Sequence, residues 1–180
     1  GTPFAAASSL DSRLQAIHRI VRASYEDPVV VSRYVTVGLW LAEEILVLDY
    51  VPDGARVLDL GCGAGRTSIA LAEMGLEGVG IDISEAMVHA ACEQARLAGV
   101  AVCFRIMDAM ALDFPDASFD VALYSYNGIE LLPGREGKRR LFEGLARVLK
   151  PKGRLIFSSH SPFAFNAFAP ARVEAFLKLC

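Results

Sequence analysis

A chain of 180 residues, 53% of them hydrophobic, is long enough to bury roughly 70% of its unfolded surface around one core. Its formal charge of -3 and pI near 5.6 give no general attraction to a phosphate backbone, which argues against a nucleic-acid partner. The longest charge-free apolar run near the N-terminus, Tyr34 to Ala42, has nine residues against the about 20 needed to cross a bilayer.

Taken in chain order, Leu10, Leu14, Ile17 and Val21 fall on one helical face. Arg13, His18 and Arg19 interrupt that stretch, so it does not read as a signal peptide. After the Asp27-Pro28 break a second apolar helix is predicted to run through Trp40 into Ile45 and Leu48. Residues 1–50 are therefore expected to form a helical cap. A turn at Pro52 to Gly54 opens an alternating part, residues 51–180, which with the cap makes one structural domain. Strands are predicted over Arg56–Leu60, Val79–Ile83, Val100–Ile106, Phe119–Tyr124 and Arg154–Ser158. Helices are predicted from Arg66 to Met74, Ser84 to Leu97 and Glu136 to Leu149, with Ser84 as an N-cap and Gly99 and Pro151 near helix ends. Strands alternating with helices give an α/β fold with a doubly wound, mostly parallel sheet, whose ligand binds beyond the carboxyl ends of the strands. Cys62, Cys92, Cys103 and Cys180 show neither a CxxC pair nor metal-ligand spacing, which predicts reduced thiols, a cytoplasmic protein and no metal.

The loop after the first strand, "GCGAG" from Gly61 to Gly65, lets backbone N–H groups approach a ligand that side chains would hold away. A dinucleotide fold wants a third glycine at position 66, where the chain has Arg66, and this argues against NAD and FAD. The second strand ends in Asp82, 21 residues after Gly61, where a carboxylate accepts both hydroxyl hydrogens of a ribose. That carboxylate suits NAD and any adenosine ligand equally.

"VLDLGCGAGRTSIALAEMG", "GVGIDISEAMVHAA", "FRIMDAMALDFPDASFDVALYSYNGI" and "LARVLKPKGRLIFSSH" together resemble the class I S-adenosylmethionine-dependent methyltransferases, in the family's order and spacing, over Tyr25 to His160. The resemblance implies a Rossmann-like methyltransferase fold, S-adenosylmethionine as cofactor and S-adenosylhomocysteine as product. It implies that Gly61, Cys62, Gly63 and Gly65 surround the amino-acid part of the cofactor, that Asp59 holds its ammonium group, and that Asp82 and Ile83 take the ribose and adenine. Asp108 would accept from the adenine amino group, with Ala109 and Met110 beside the ring and Met87 nearby; Tyr124, Ser125 and Tyr126 would lie near the departing methyl group. Alternatives stay open residue by residue: Asp108 as a turn cap, Met87 and Met110 as core, and Cys62 as a small loop residue with no nucleophilic role. The N-terminal segment resembles a lid, in which Tyr34 and Trp40 either face the sulfonium and substrate or serve only lid packing.

Arg135 to Arg154 holds eight basic and two acidic residues, and is read as a solvated helix face in preference to a nucleic-acid or anion site. His160 and Tyr124 are the candidates for a general base, with a hydrogen bond to the strand end as the alternative for His160. The function expected is methyl transfer to a small molecule by in-line displacement. An NAD-dependent oxidoreductase and a non-catalytic cofactor-binding module are the rivals. The family usually adds two further strands, but only 20 residues follow His160, so the C-terminal strands are expected to be missing. Phe163, Phe165 and Phe168 would then cover the exposed strand edge or a second copy, and a mean hydropathy of +0.37 agrees with a dimeric or aggregation-prone chain.

Overall fold

The computed structural model describes residues 15, 16, 19–35 and 38–160. The calls on Leu10, Leu14, Ile17, Phe163, Phe165, Phe168 and Cys180 lie outside them. Strands β1 (Arg56–Leu60), β2 (Glu77–Asp82) and β4 (Phe119–Tyr124) are nearly continuous apolar runs, as strands covered on both faces must be. With β3 (Cys103–Ile106) and β5 (Leu149–Phe157) they make a fully parallel sheet in the order β3-β2-β1-β4-β5. The order reverses at β1, whose Asp59 stands beside Gly80 on one side and Leu123 on the other. A crevice therefore opens at the carboxyl end of β1.

Alternation along β1 divides the core in two. Leu58 and Leu60 pack with Phe119, Leu141, Leu145 and Val148 on the face covered by helix α5 (Gly134–Val148). Val57 packs on the opposite face with Leu71 of α3 (Arg66–Glu73) and Val47 of α2 (Leu41–Tyr50). Helix α4 (Glu85–Ala98) begins at Ser84, whose hydroxyl accepts the Met87 N–H, and ends on Gly99 in the left-handed region. Both caps match the sequence reading.

Several boundaries differ from it, and β2 starts at Glu77 and not Val79. β3 begins at Cys103 and not Val100. Pro151 does lie near a helix end, two residues beyond Leu149, the C-cap of α5, but β5 starts at Leu149 and not Arg154, with Lys150 to Gly153 standing opposite Asp120 alone. The Lys150 ammonium holds that bulge by bonding both Asp120 oxygens at 2.9 Å. The apolar helix expected from Pro28 to Leu48 is instead two, α1 (Pro28–Tyr34) and α2, separated around Gly38 at φ 102°. Partners other than helical ones hold the break, since Arg66 donates to the Gly38 carbonyl and the Trp40 N–H donates to Glu43.

Gly80, in the middle of β2, has no room for a side chain: a Cβ there meets Phe104 Cδ1 at 2.6 Å and Ser68 Oγ at 2.8 Å. Gly80→Ala is expected to destabilise the fold by about 1–3 kcal/mol, read as a lower urea midpoint. An unchanged midpoint would show that α3 and β3 yield freely at this contact.

Candidate functional site

The crevice is a cavity of about 650 Å³, bounded by the glycine loop, the ends of β2 and β4, the segment after β3, and residues of 21–34 and 38–40. Its floor is shaped by three left-handed glycines. Gly63, at φ 54°, leaves open space in which a Cβ would approach only Tyr34 Cδ1, at 3.9 Å. Gly65, at φ 88°, packs against Ala91 and Phe104, where a Cβ would stand at 3.1 Å from each. Gly65 thus seats α3 against its neighbours and does not line the cavity. Gly61 receives the ring of Tyr124, 3.0 Å from the position of a Cβ.

Asp82 holds this floor in place. One of its oxygens accepts the Gly63 N–H and the other the Ser84 N–H, both at 2.9 Å. Burial raises its pKa against the effect of those bonds. A carboxylate offers about four acceptor positions, so two remain for a ligand in the cavity that Asp82 lines. Asp108 lines the same cavity, and its Oδ1 accepts the Met110 N–H at 2.8 Å. The turn-cap reading of Asp108 and its place on the cavity wall therefore coexist. Ile83, Met87 and Ala109 supply apolar wall beside these carboxylates.

The structure does not bring every sequence-predicted residue to the cavity. Asp59 lies beneath the loop, 1% exposed, accepting the Ser68 hydroxyl at 2.6 Å. Met110 packs against the core cluster under α5. His160 lies outside the cavity wall, with Nδ1 2.6 Å from Glu130 and Nε2 3.3 Å from the Asn127 amide. Burial opposes ionisation of Glu130, but bonds from Ser159 and His160 outweigh it and hold its carboxyl down to about 2. This arrangement ties β5 to the loop after β4, as the strand-end alternative requires. Tyr124 does line the cavity, but burial, then the charges of Asp82 and Asp108, push its phenol above the usual tyrosine range. Cys62 is buried, and burial raises its thiol pKa too, which leaves it a small loop residue.

An aromatic row runs between the lid and the loop after β4: Tyr25, Tyr34, Tyr126 and Trp40, with successive ring centroids 5.7, 6.0 and 6.2 Å apart. All four line the cavity, and Ser125 joins them from the loop after β4. The lid is tied down at the start of α4, where the Ser84 hydroxyl donates to the Tyr25 carbonyl and Glu26 accepts the Glu85 and Ala86 N–H groups. A second tether is an ion pair between Arg66 and Glu43, which the sequence reading missed, and a third is the bond from Arg154 Nη1 to the Tyr50 carbonyl at 2.6 Å. A cation in the first turn of a helix opposes the helix dipole, so Arg66 itself signalled a carboxylate partner. Among the described residues no cluster of His, Cys, Asp and Glu is arranged to hold a metal, and no helix is long and apolar enough to cross a membrane. On α5, Arg139 pairs with Glu136 and Glu143, and Arg140 with Glu136, as a solvated face would.

Burial, eased by the Ser68 bond, pushes the Asp59 carboxyl up to about 7. Its folded-state pKa exceeds the ordinary carboxylate value, so the stability it contributes is complete in acid and is lost as pH rises through about 7. Asp59→Asn is expected to flatten the fall in urea midpoint between about pH 5 and about pH 8. Parallel pH profiles for the two chains would contradict it.

Residues 57–153 match a family model described as "Methyltransferase domain". The chain is 42% identical over 110 residues to the 2-methyl-6-phytyl-1,4-hydroquinone methyltransferase of a Synechocystis species, covering 61% of this chain and 33% of that protein. It is 41% identical over 105 residues to the 27-O-demethylrifamycin SV methyltransferase of Amycolatopsis mediterranei, covering 57% and 37%. Among solved structures, a SAM-dependent methyltransferase from Methanosarcina mazei superposes with a TM-score of 0.67 at 26% identity, covering 77% of this chain and 66% of that one. The chain thus spans between about a quarter and a half of the length of the curated relatives it matches. A parallel sheet reversing at β1, a glycine loop tethered by Asp82 and a matched region that covers both place the chain in the methyltransferase-domain family, with the class I S-adenosylmethionine-dependent fold.

Proposed function

We propose that the cavity binds S-adenosylmethionine and that the whole protein transfers a methyl group to a small-molecule acceptor by in-line displacement. The observation that carries this reading is the pair of carboxylates, Asp82 and Asp108, on the wall of a cavity floored by an open glycine loop. The donor and acceptor set suits a nucleoside joined to an amino acid. On this reading Asp82 would accept from ribose hydroxyls, Asp108 from an adenine amino group, and Gly61, Cys62 and Gly63 would take the amino-acid part, which their places on the cavity wall support. Bound there, S-adenosylmethionine supplies an electrophilic methyl group on a sulfonium centre.

The chain's own contribution is orientation and exclusion of water. Tyr25, Tyr34, Tyr126 and Trp40 present ring faces and edges to the cavity, and an aromatic face near a cation contributes about 0.5–2 kcal/mol. Holding nucleophile and electrophile in line supplies roughly 7–11 kcal/mol of barrier reduction, so no single side chain has to carry the step. Tyr124 keeps its proton at neutral pH and acts as a hydrogen-bond donor, not a base. His160 serves the β5 to β4 connection. Residues 1–50 act as a lid on the unit formed by 51–180. Relatives named for a phytyl hydroquinone and a demethylrifamycin support a small molecule as acceptor. The thiols of Cys62, Cys92 and Cys103 are free, which supports a cytoplasmic setting.

Calorimetry with S-adenosylhomocysteine tests the reading, followed by an acceptor library scored by release of the same product. The chain is expected to bind S-adenosylhomocysteine and not NADH. Asp82→Asn, which keeps the shape but loses charge and acceptor capacity, is expected to weaken that binding about tenfold or more. Unchanged affinity in a folded variant would contradict the role of Asp82, and binding of NADH alone would contradict the function.

A further inference from the structure

Arg66 is the first residue of α3, directly after the glycine loop, and its side chain reaches back to the lid. Its Nη1 donates to the Gly38 carbonyl at 2.8 Å and to Glu43 Oε2 at 2.7 Å, while Nη2 donates to Glu43 Oε1 at 2.8 Å. This two-pronged pair is largely shielded, with the side chains 13% and 15% exposed, so solvent and salt screen it little. The same carboxylate accepts the Trp40 N–H at 2.9 Å, and the Ser125 hydroxyl nearby helps to lower its pKa. Burial works against its charged form, but the bonds from Arg66 and Trp40 keep Glu43 below the usual carboxylate range.

One carboxylate therefore joins two walls of the cavity, the helix after the glycine loop and the Gly38–Trp40 strap, and lies beside a third, the loop after β4, at Ser125. That last loop is itself constrained, since Tyr126 and Asn127 are non-glycine residues in the left-handed region, at φ 55° and 59°. Helix α2 does not depend on the pair for its docking, because Val47 is buried in the core with Val57, Leu71 and Val121. Loss of the ion pair would free the strap and leave the helix seated.

We infer that Arg66 and Glu43 are positioning residues that hold the Gly38–Trp40 strap, and with it the aromatic rim of Trp40 and Tyr126, over the cavity, so that retention of the cofactor depends on them. Only the dependence on cofactor rests on reading the cavity as an S-adenosylmethionine site; the hold on the strap does not.

Trp40 is the chain's single tryptophan, and it reports the strap directly. Acrylamide quenching of its fluorescence is to be measured in the ligand-free chain for wild type, Glu43→Gln, Arg66→Met and the double variant, with urea midpoints alongside. Glu136→Gln, which breaks an exposed ion pair on α5, serves as control. Both single variants are expected to raise quenching, the double variant to raise it no further than the worse single one, and the control to leave it unchanged. S-adenosylhomocysteine affinity is expected to fall about fivefold or more in the same variants and not in the control. Should Arg66→Met fail to fold, the shape-preserving Glu43→Gln reads the same quantities. Unchanged quenching in the folded variants would overturn the proposal, as would looser Trp40 with undiminished affinity. If the wild type itself binds no S-adenosylhomocysteine while quenching responds as expected, the hold on the strap stands and the cofactor reading falls.

Discussion

The Asp82 carboxylate accepts one amide hydrogen from the loop after β1 and another from the start of α4, and much of the site follows from that double bond. A loop of left-handed glycines has little to hold it, since glycine loses more conformational freedom on folding than any other residue. The bond to Gly63 fixes the loop where its open face borders the cavity. The bond to Ser84 orients the first turn of α4, whose cap also donates to the lid at Tyr25. Loop, helix and lid are thereby referred to one partly buried group beside the reversal point of the sheet. Burial disfavours its charge, and backbone donors together with a polar ligand offset that cost.

Around this anchor the molecule separates rigid from adjustable parts. The sheet is packed on both faces, with Leu58, Leu60, Phe119 and Leu141 on one side and Val57, Leu71 and Val121 on the other. The lid rests on it through few buried groups: α1 has none, and α2 only Val47. Directed polar bonds at three places compensate, one set at Tyr25 and Glu26, another at Gly38 and Glu43, and a third at Tyr50. Hydrogen-bonded tethers of this kind open locally at lower cost than a packed core does. A wall that admits and then encloses a ligand is served by that division.

Legibility in the sequence follows the range of the interactions involved. Strands β1 and β4 read clearly because burial on both faces makes them apolar runs, and Ser84 and Gly99 read clearly because caps are local chemistry. Asp82 was legible from its place at a strand end, and the resemblance extended this to Asp108. The break between α1 and α2 was not legible, because bonds from Arg66 and Glu43 decide it over periodicity, and Arg66 lies 28 residues from Gly38 in the chain. Asp59 and Met110 carried roles from the resemblance, yet the pleat turns Asp59 toward Ser68 and Met110 packs, partly buried, against the core. The partner of His160 was not legible either, because Glu130 reaches it across 30 residues. Side-chain direction and long-range pairing are what a linear pattern omits.

The central claim is that the wall formed by the glycine loop, Asp82 and Asp108 is where S-adenosylmethionine and its product bind. Amide chemical shifts of the isotope-labelled chain during titration with S-adenosylhomocysteine test it residue by residue. The account expects the largest changes at Gly61, Gly63, Ile83 and Ala109, with α5 amides such as Arg139 and Glu143 unmoved. Changes confined to other surfaces, or the same amides answering NADH and not S-adenosylhomocysteine, would contradict it.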